Sequence, residues 1–220
     1  MYLNFKNYSN KEGQRWPMAN TYETTIFNQQ EFYNYKFSDL TLEKTELENK
    51  VFENCKFEKS NFSEAKFTSC KFVDCEFVSC NLSAIELNNT SFSETLFADC
   101  KLMGINWTKV KWPLIKLTSP IQFYRSNISY SSFYGLDLKE IIIEECIAHD
   151  VDFREGNFSN GNFTLTDFEN SLFMHTKLHA ASFIEAINYS INPIDNDIRK
   201  GKFSVPEVLN LLHAFQIEIE

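Results

Sequence analysis

The histidines are the first residues to consider for chemistry, because an imidazole can bind a metal ion or act as a general base. The chain contains four, and His175 and His179 have the spacing that places two metal ligands on one face of a helix. No set of Cys, Asp or Glu residues converges with them. The six glycines include no Gly-rich loop that could bind phosphate. We therefore predict no catalytic residue, no metal and no cofactor, and we do not expect an enzyme.

The six cysteines are the second candidates, since thiols can form disulfides or bind a metal. Each lies two positions before a member of a regular series of mostly large apolar residues: Cys55, Cys70, Cys75, Cys80, Cys100 and Cys146. At such a repeated position a cysteine acts as a small apolar filler. We predict six reduced, buried thiols, as is usual in a cytosolic protein.

The apolar series has a period of five residues and must set the fold. It runs from Phe27 to Leu117 and again from Phe123 to Phe183, with smaller residues two positions before each member. Neither a helix, with about 3.6 residues per turn, nor a strand, with a period of 2, keeps both sets on one face. The pattern predicts a solenoid in which each pentad forms one short side and a corner. Successive coils would pair as parallel strands, about 4.8 Å apart.

The pattern also divides the chain into three parts. Residues 1–26 do not fit the repeat and are expected to form an irregular N-terminal cap, and residues 27–190 are expected to form the solenoid. Between the two series, at 118–122, the spacing of six indicates one inserted residue. Residues 191–220 are expected to form a helix and a short strand that mediate dimerisation.

The prediction for the C-terminus rests on local signals. Ser204 precedes Val205-Pro206-Glu207, as an N-cap precedes a first helical turn with proline and an acid. We predict a short α-helix over residues 205–214 and alternation typical of a strand over 216–220. A helix this short must pack on the last coil or on a second copy. The apolar residues available for a dimer interface are Val205, Val208, Leu209, Leu212, Phe215, Ile217 and Ile219.

The pentads resemble those of the pentapeptide repeat family, whose loose signature is Ala-(Asp/Asn)-Leu-x-x. Matching stretches include Ser60-Asn61-Phe62-Ser63-Glu64 and Thr166-Asp167-Phe168-Glu169-Asn170. The resemblance implies an all-β fold, a right-handed quadrilateral parallel β-helix with four pentads in each coil. On that geometry Phe32, Phe52, Phe72 and Phe92 stack in one column, Cys55 lies under Cys75, and Cys80 lies under Cys100.

Within that family, the Phe-rich core and the C-terminal helix are similar to the Qnr and MfpA group. The resemblance implies a C-terminal dimer that binds DNA gyrase or topoisomerase IV as a mimic of duplex DNA and confers quinolone resistance or tolerance. Typical Qnr members carry long loops that project from the solenoid. Here the spacing of the two series predicts only one extra residue.

The net charge of the chain limits the classes of partner that it can bind. The net charge of −9 and a pI near 5 disfavour direct binding to nucleic acid, which requires clustered Lys and Arg. No apolar run approaches the length of a membrane span and no signal peptide is recognisable, so we expect a cytoplasmic protein.

The negative charge is concentrated in the second half of the repeat. Residues 27–117 hold eleven Lys against thirteen acids, whereas residues 118–190 hold four basic residues against ten acids. The second half therefore has a charge density within a factor of about two of that of duplex DNA. The acids predicted to form a partner-binding face are Asp137, Glu140, Glu144, Glu145, Asp150, Asp152, Glu155, Asp167 and Glu169.

Two functions remain open. The first is a cytoplasmic homodimer that occupies the DNA-binding saddle of a type II topoisomerase and modulates its activity or its sensitivity to quinolones or toxins. The second is a structural or scaffold module unrelated to topoisomerases, because a shared fold does not fix function. Neither involves direct contact with nucleic acid or a membrane.

Overall fold

The structure, a computed structural model, describes residues 26–113 and 119–217. They form a parallel β-solenoid of about eight coils, as the pentad pattern predicted, and its cross-section is four-sided, as the family resemblance implied. No helix in the described ranges is long and apolar enough to cross a membrane. Most of the predicted N-terminal cap, residues 1–26, lies outside the described residues.

The strands are short, because each pentad supplies only one straight piece of two to four residues between corners. In chain order they are β1 (Glu31–Tyr33), β2 (Lys36–Ser38), β3 (Glu46–Glu48), β4 (Val51–Glu53), β5 (Lys56–Glu58), β6 (Lys66–Thr68), β7 (Lys71–Val73), β8 (Glu76–Val78), β9 (Ser91–Ser93), β10 (Thr95–Ala98), β11 (Ile121–Tyr124), β12 (Ile142–Glu144), β13 (Ser182–Phe183) and β14 (Lys202–Phe203). Isolated parallel bridges continue the same pairing where no strand is formed.

Successive coils pair with an offset of 20 residues, so each side of the solenoid recurs every four pentads. We name the sides by the first buried central residue of each: side A by Phe32, side B by Phe37, side C by Leu42 and side D by Leu47. Side A joins β1, β4, β7 and β9, and side B joins β2, β5, β8, β10, β11 and β12. Because the sides follow each other along the chain, A and C are opposite, as are B and D.

Each corner is made by the residue two positions after the central apolar residue. That residue has a left-handed backbone, with φ of 55° at Lys44, 57° at Glu64 and 59° at Leu165. Most L-residues disfavour this conformation, whereas Gly, Asn and Asp tolerate it. The solenoid imposes it on many other residue types, because the inter-coil hydrogen bonds and the buried core fix the turn.

The aromatic residues form the predicted columns. Phe32, Phe52, Phe72 and Phe92 stack on side A with ring centroids 4.9, 5.0 and 5.2 Å apart and planes within 11°. This is the spacing of paired strands, so each coil adds one ring to a continuous core.

The six thiols are free and buried, as predicted. Cys80 lies under Cys100, since its backbone N–H donates to the Cys100 Sγ at 3.4 Å. Cys55 likewise lies next to Cys75. Burial raises the pKa of Cys146 to about 12, so that thiol is protonated and unreactive at neutral pH.

One coil is six residues longer than the others. On side B, Phe97 pairs with Phe123, and on side C, Lys101 pairs with Asn127, so both offsets are 26 instead of 20. The extra residues lie between Lys111 and Pro120, because Lys111 still bonds to Thr90 in the 20-residue register. The prediction of a single extra residue was therefore wrong. Six residues are one complete pentad plus one residue. A pattern that repeats every five residues looks the same after an insertion of six residues as after an insertion of one.

The repeat also extends beyond its predicted end at residue 190. Phe203 pairs with Phe183, and their rings stack at 5.3 Å with planes 6° apart. Asn188 and Pro193 occupy the next two central positions, where the series otherwise places an apolar core residue. The core is filled there instead by Tyr189 and Ile191, which are buried.

The N-terminal end of the core differs from the prediction at one residue. Phe27, taken as the first member of the series, is exposed, and Ile26 is buried instead, in the helical turn 26–28. Lys50 occupies the small-residue position above this turn and is buried. Its ammonium group donates to the carbonyl oxygens of Phe27, at 3.1 Å, and Gln29. The buried ammonium group of Lys50 is accommodated because backbone carbonyl oxygens near a helix end accept hydrogen bonds from it.

The C-terminal helix is a 3-10 helix, Glu207–Phe215, and not the predicted α-helix over 205–214. Ser204 does not cap it; its hydroxyl accepts from the backbone N–H of Glu185 at 3.0 Å. With about three residues per turn, one row of side chains repeats every third position. That row is Val208, Leu211 and Ala214, and Val208 and Leu211 pack against the core.

Candidate partner-binding surfaces

The nine predicted acids do not lie on one side of the solenoid. The 20-residue register places Asp137 and Glu140 on side A, Glu144 and Glu145 on side B, Asp150, Asp167 and Glu169 on side C, and Asp152 and Glu155 on side D. A linear stretch of acidic sequence is therefore wrapped around the whole rod, because every coil passes through all four sides.

The net negative charge is nevertheless uneven around the rod. Over residues 118–190, sides B and C hold six acids against Arg125, a net charge of −5. Arg125 is itself bonded to Asp99 of the preceding coil, at 2.8 and 2.9 Å. Sides A and D hold four acids against Lys139, Arg154 and Lys177, a net charge of −1. The two adjacent sides B and C thus carry most of the negative field of this half.

The acids also differ in their local partners. On side D, the guanidinium of Arg154 donates two bonds to Asp152, both 2.9 Å, and this lowers the pKa of the carboxyl group. On side B, burial is the main cause that raises the pKa of Glu144, and the neighbouring Glu145 raises it further. Asn162 donates to the Glu144 carboxylate at 2.8 Å.

On side C, His149 lies between two acids of the next coil. Its Nε2 is 2.9 Å from Asp167 and its Nδ1 is 3.9 Å from Glu169. Burial opposes ionisation of Asp167, but hydrogen bonds from Asn188 and His149 lower its pKa overall.

Four of the seven predicted dimer residues lie on the 3-10 helix: Val208, Leu209, Leu212 and Phe215. Leu209, Leu212 and Phe215 form the row next to the packed one, and Leu209 and Phe215 are 43% and 53% exposed. Val205 and Ile217 at the helix ends are also exposed, whereas Val208 is half-buried against the core. Ile219 lies outside the described residues. Leu211, the buried residue of the helix, is not among the predicted residues, because an α-helical period does not select it; a period of three does.

The histidine pair has no metal-binding geometry. His175 is a left-handed corner residue that follows side D, and His179 lies on side A, so the two are not on a helix. Within residues 26–113 and 119–217, no group of three His, Cys, Asp or Glu residues could hold a metal ion.

The repeat is recognised by comparison with family models. A model described as "Pentapeptide repeat region" matches residues 50–119. No curated protein sequence matches the chain.

Two solved structures share the fold at low sequence identity. Both are trypsin-treated variants of QnrB1, described as a plasmid-mediated fluoroquinolone resistance protein. The first is 19% identical, covers 86% of this chain and 91% of its own, and has a TM-score of 0.52. The second is 16% identical, covers 86% and 98%, and has a TM-score of 0.59. Residues 50–119 therefore match a pentapeptide repeat region, and the chain shares the solenoid fold of QnrB1.

Proposed function

We propose that this protein is a mimic of duplex DNA that binds a type II topoisomerase, DNA gyrase or topoisomerase IV, in the cytoplasm. Binding would compete with DNA and thereby modulate the activity of the enzyme or its sensitivity to quinolones or toxins. The observation that carries the proposal is the net charge of −5 on the adjacent sides B and C of residues 118–190.

The physical basis is the match to a DNA-binding surface. A protein that binds DNA presents clustered Lys and Arg to the phosphates, and an acidic rod can occupy the same cluster. The corner residues Glu145 and Glu185 on side B and Asp150 next to them are exposed and form no ion pair with another described residue. Their charge is thus available to a partner.

A dimer would extend the acidic surface. The row Leu209, Leu212 and Phe215 lies at the C-terminal end of the rod, next to the acidic half. An exposed apolar row at an open end favours association with a second copy. A two-fold axis there would bring two acidic halves together at the centre of a longer rod.

The experiment is inhibition of gyrase supercoiling by the purified protein. We expect inhibition that weakens as salt rises, because the competition is electrostatic. A protein that leaves supercoiling by gyrase and decatenation by topoisomerase IV unchanged at all concentrations would refute the proposal.

A scaffold function is the second candidate, and one observation favours it. Exposed large apolar residues occur on the sides of the C-terminal half, including Tyr134, Leu172 and Met174 on side D. A surface that only mimicked phosphates would not require them. They suit a protein partner that contacts side D.

A further inference from the structure

The last complete coil is distorted on side D. Elsewhere in residues 119–217 bridged residues are 20 apart, but Phe173 pairs with Ile191, 18 positions later. Residues 192–196 then span the interval that residues 174–176 span in the coil below, so two extra residues bulge outward, with Ile194 66% exposed, before the normal register resumes at Asp197. The bulge returns to the coil at Asp195, whose carbonyl oxygen accepts from the backbone N–H of His175 at 3.1 Å. The distortion coincides with Pro193 at the central position, where the earlier coils place a buried Leu, Phe or Trp on this side.

The turn is held firmly in this outward position. The Asn192 Oδ1 accepts from the backbone N–H of Ile194 at 2.8 Å, and its Nδ2 donates to the carboxylate of Asp195 at 2.8 Å. Asn196 ties the turn to the coil below, because its amide donates to the carbonyl oxygens of Asn192 and Phe173 at 2.9 and 3.2 Å. Such local side-chain bonds fix a turn.

The outward turn opens a groove above the preceding coil. This side-D groove has a volume of about 660 Å³ and is lined by Arg154, Leu172, Phe173, Met174, Asn192 and Asp195, among others. Its size is that of a pocket for a side chain or a small ligand. Leu172 and Met174 are 49% and 43% exposed in its floor.

The charges around the groove are predominantly negative. Arg154 is the one cation among the residues that line it, and it is already bonded to Asp152. Its guanidinium also lies 5.8 Å from the centre of the Tyr134 ring. Asp195 lines the groove, and the exposed corner residue Glu155 lies beside it, since its backbone N–H donates to the carbonyl oxygen of Met174 at 2.9 Å. Neither carboxylate forms an ion pair with another described residue. The groove thus combines an apolar floor with an acidic rim.

This combination selects the occupant. An acidic rim repels phosphate and carboxylate groups, and it attracts ammonium and guanidinium groups. An apolar floor with a methionine accepts side chains of varied shape, since Met is flexible and polarisable. The groove is therefore complementary to a ligand that presents one apolar side chain between two cationic groups.

We propose that the side-D groove binds an extended segment of a partner protein in which one large apolar side chain is flanked by Lys or Arg. The apolar side chain packs on Leu172 and Met174, and the flanking cations bond to Asp195 and Glu155. This surface is separate from the acidic sides B and C, and its occupation does not depend on binding to a topoisomerase.

The test uses the synthetic peptide Gly-Arg-Leu-Arg-Gly and the full-length, isotope-labelled protein observed by NMR. We expect chemical-shift changes confined to the groove, centred on Leu172, Met174 and Asp195. A peptide with Glu in place of Arg, and one with Ser in place of Leu, should each bind at least about tenfold more weakly.

Paired variants make the test specific. Leu172→Ser with Met174→Ser should lose at least about tenfold in affinity, while Ile147→Ser with Ile187→Ser on side C should bind as the wild type does. The control residues are equally exposed, at 44% and 43%, but lie outside the groove. Asp195→Asn, which keeps an acceptor for Asn192, should also weaken binding if the double variant fails to fold. Shift changes scattered over the rod, no binding, or equal binding of the Glu peptide would overturn the proposal.

Discussion

The ring of Phe97 stacks on that of Phe123 at 5.4 Å with planes 15° apart, although the two residues are 26 positions apart in the chain. The stack on side B is therefore unbroken across a coil that is six residues too long. The change of register falls between Lys111, which still bonds to Thr90, and Pro120, which bonds to Thr95.

Removal of these residues should leave the solenoid intact. Deletion of residues 113–118 restores a coil of 20 residues, and we expect a melting temperature equal to or above that of the wild type, because closing a shorter connection costs less entropy. Deletion of residues 113–119 leaves the coil one residue short and shifts the side-chain pattern, so it should lower the melting temperature by several degrees. Equal melting temperatures for the two deletions would contradict the register.

The core register can be tested on adjacent residues. Phe72 is buried between Phe52 and Phe92, and Phe72→Ala should cost roughly 3 to 5 kcal/mol in the free energy of unfolding. Lys71 is exposed on the same strand, and Lys71→Ala should change that energy by less than about 0.5 kcal/mol. Urea denaturation measures both, and similar losses at the two positions would invalidate the inward and outward assignment.

Gly156 occupies a small-residue position that admits no side chain. A Cβ there would lie 2.3 Å from the Cε2 of Phe158, so Gly156→Ala should destabilise the protein by about 1 to 3 kcal/mol. The control is Gly104→Asn, since a Cβ at Gly104 meets no atom within 4 Å and Asn tolerates its φ of +72°. Urea denaturation measures the free energy of unfolding of both variants. If neither substitution changes it, Gly156 does not occupy a position that excludes a side chain.

The ion pair on side D should make stability depend on pH. Arg154 lowers the pKa of Asp152 below its ordinary value of 3.8 through a side-chain hydrogen bond. A lowered carboxyl pKa contributes stability that is fully present above 3.8 and is lost as pH falls through the lowered folded pKa. Asp152→Asn should therefore reduce the urea midpoint at pH 6 and have a smaller effect at pH 2. An equal effect at both pH values would exclude this linkage.

The C-terminal row can be tested for dimerisation. Leu209→Glu with Phe215→Glu should give a folded monomer by light scattering, because both side chains are exposed and their removal leaves the core unchanged. Leu165→Glu, an exposed residue at a distant corner, should leave the mass unchanged. If the double variant and the wild type have the same mass, the exposed row does not form the interface.

The parts of the fold that follow from the five-residue period were predictable, and the exceptions share a physical cause. The columns through Phe72, the buried thiols and the corners need only a repeated side chain every fifth residue. The length of the long coil, the 3-10 period at Leu211 and the return of the repeat at Phe203 depend on inter-coil pairing. The five-residue spacing along the sequence carries no information about which coils pair.

The same limitation applies to the candidate surface. The acidic half was recognisable from composition, but its distribution over the sides follows from the 20-residue coil and could have been found by sorting the acids with that period. The side-D groove could not have been predicted from the sequence, because it depends on the outward turn at Pro193 and on hydrogen bonds made by the side chains of Asn192 and Asn196.

The most direct measurement for the proposed function is displacement of a fluorescent DNA duplex from gyrase, followed by anisotropy. The test variant is Glu145→Lys with Glu185→Lys, which changes the net charge of sides B and C from −5 to −1. The matched control is Glu94→Lys with Glu140→Lys on side A. All four are left-handed corner residues, a conformation that Lys44, Lys59 and Lys200 already adopt in this chain.

We expect the wild type and the side-A control to displace the duplex with similar midpoints, and the side-B variant to require at least about tenfold more protein. Equal displacement by both charge-reversed variants, or no displacement by the wild type, would contradict the mimicry of DNA by sides B and C.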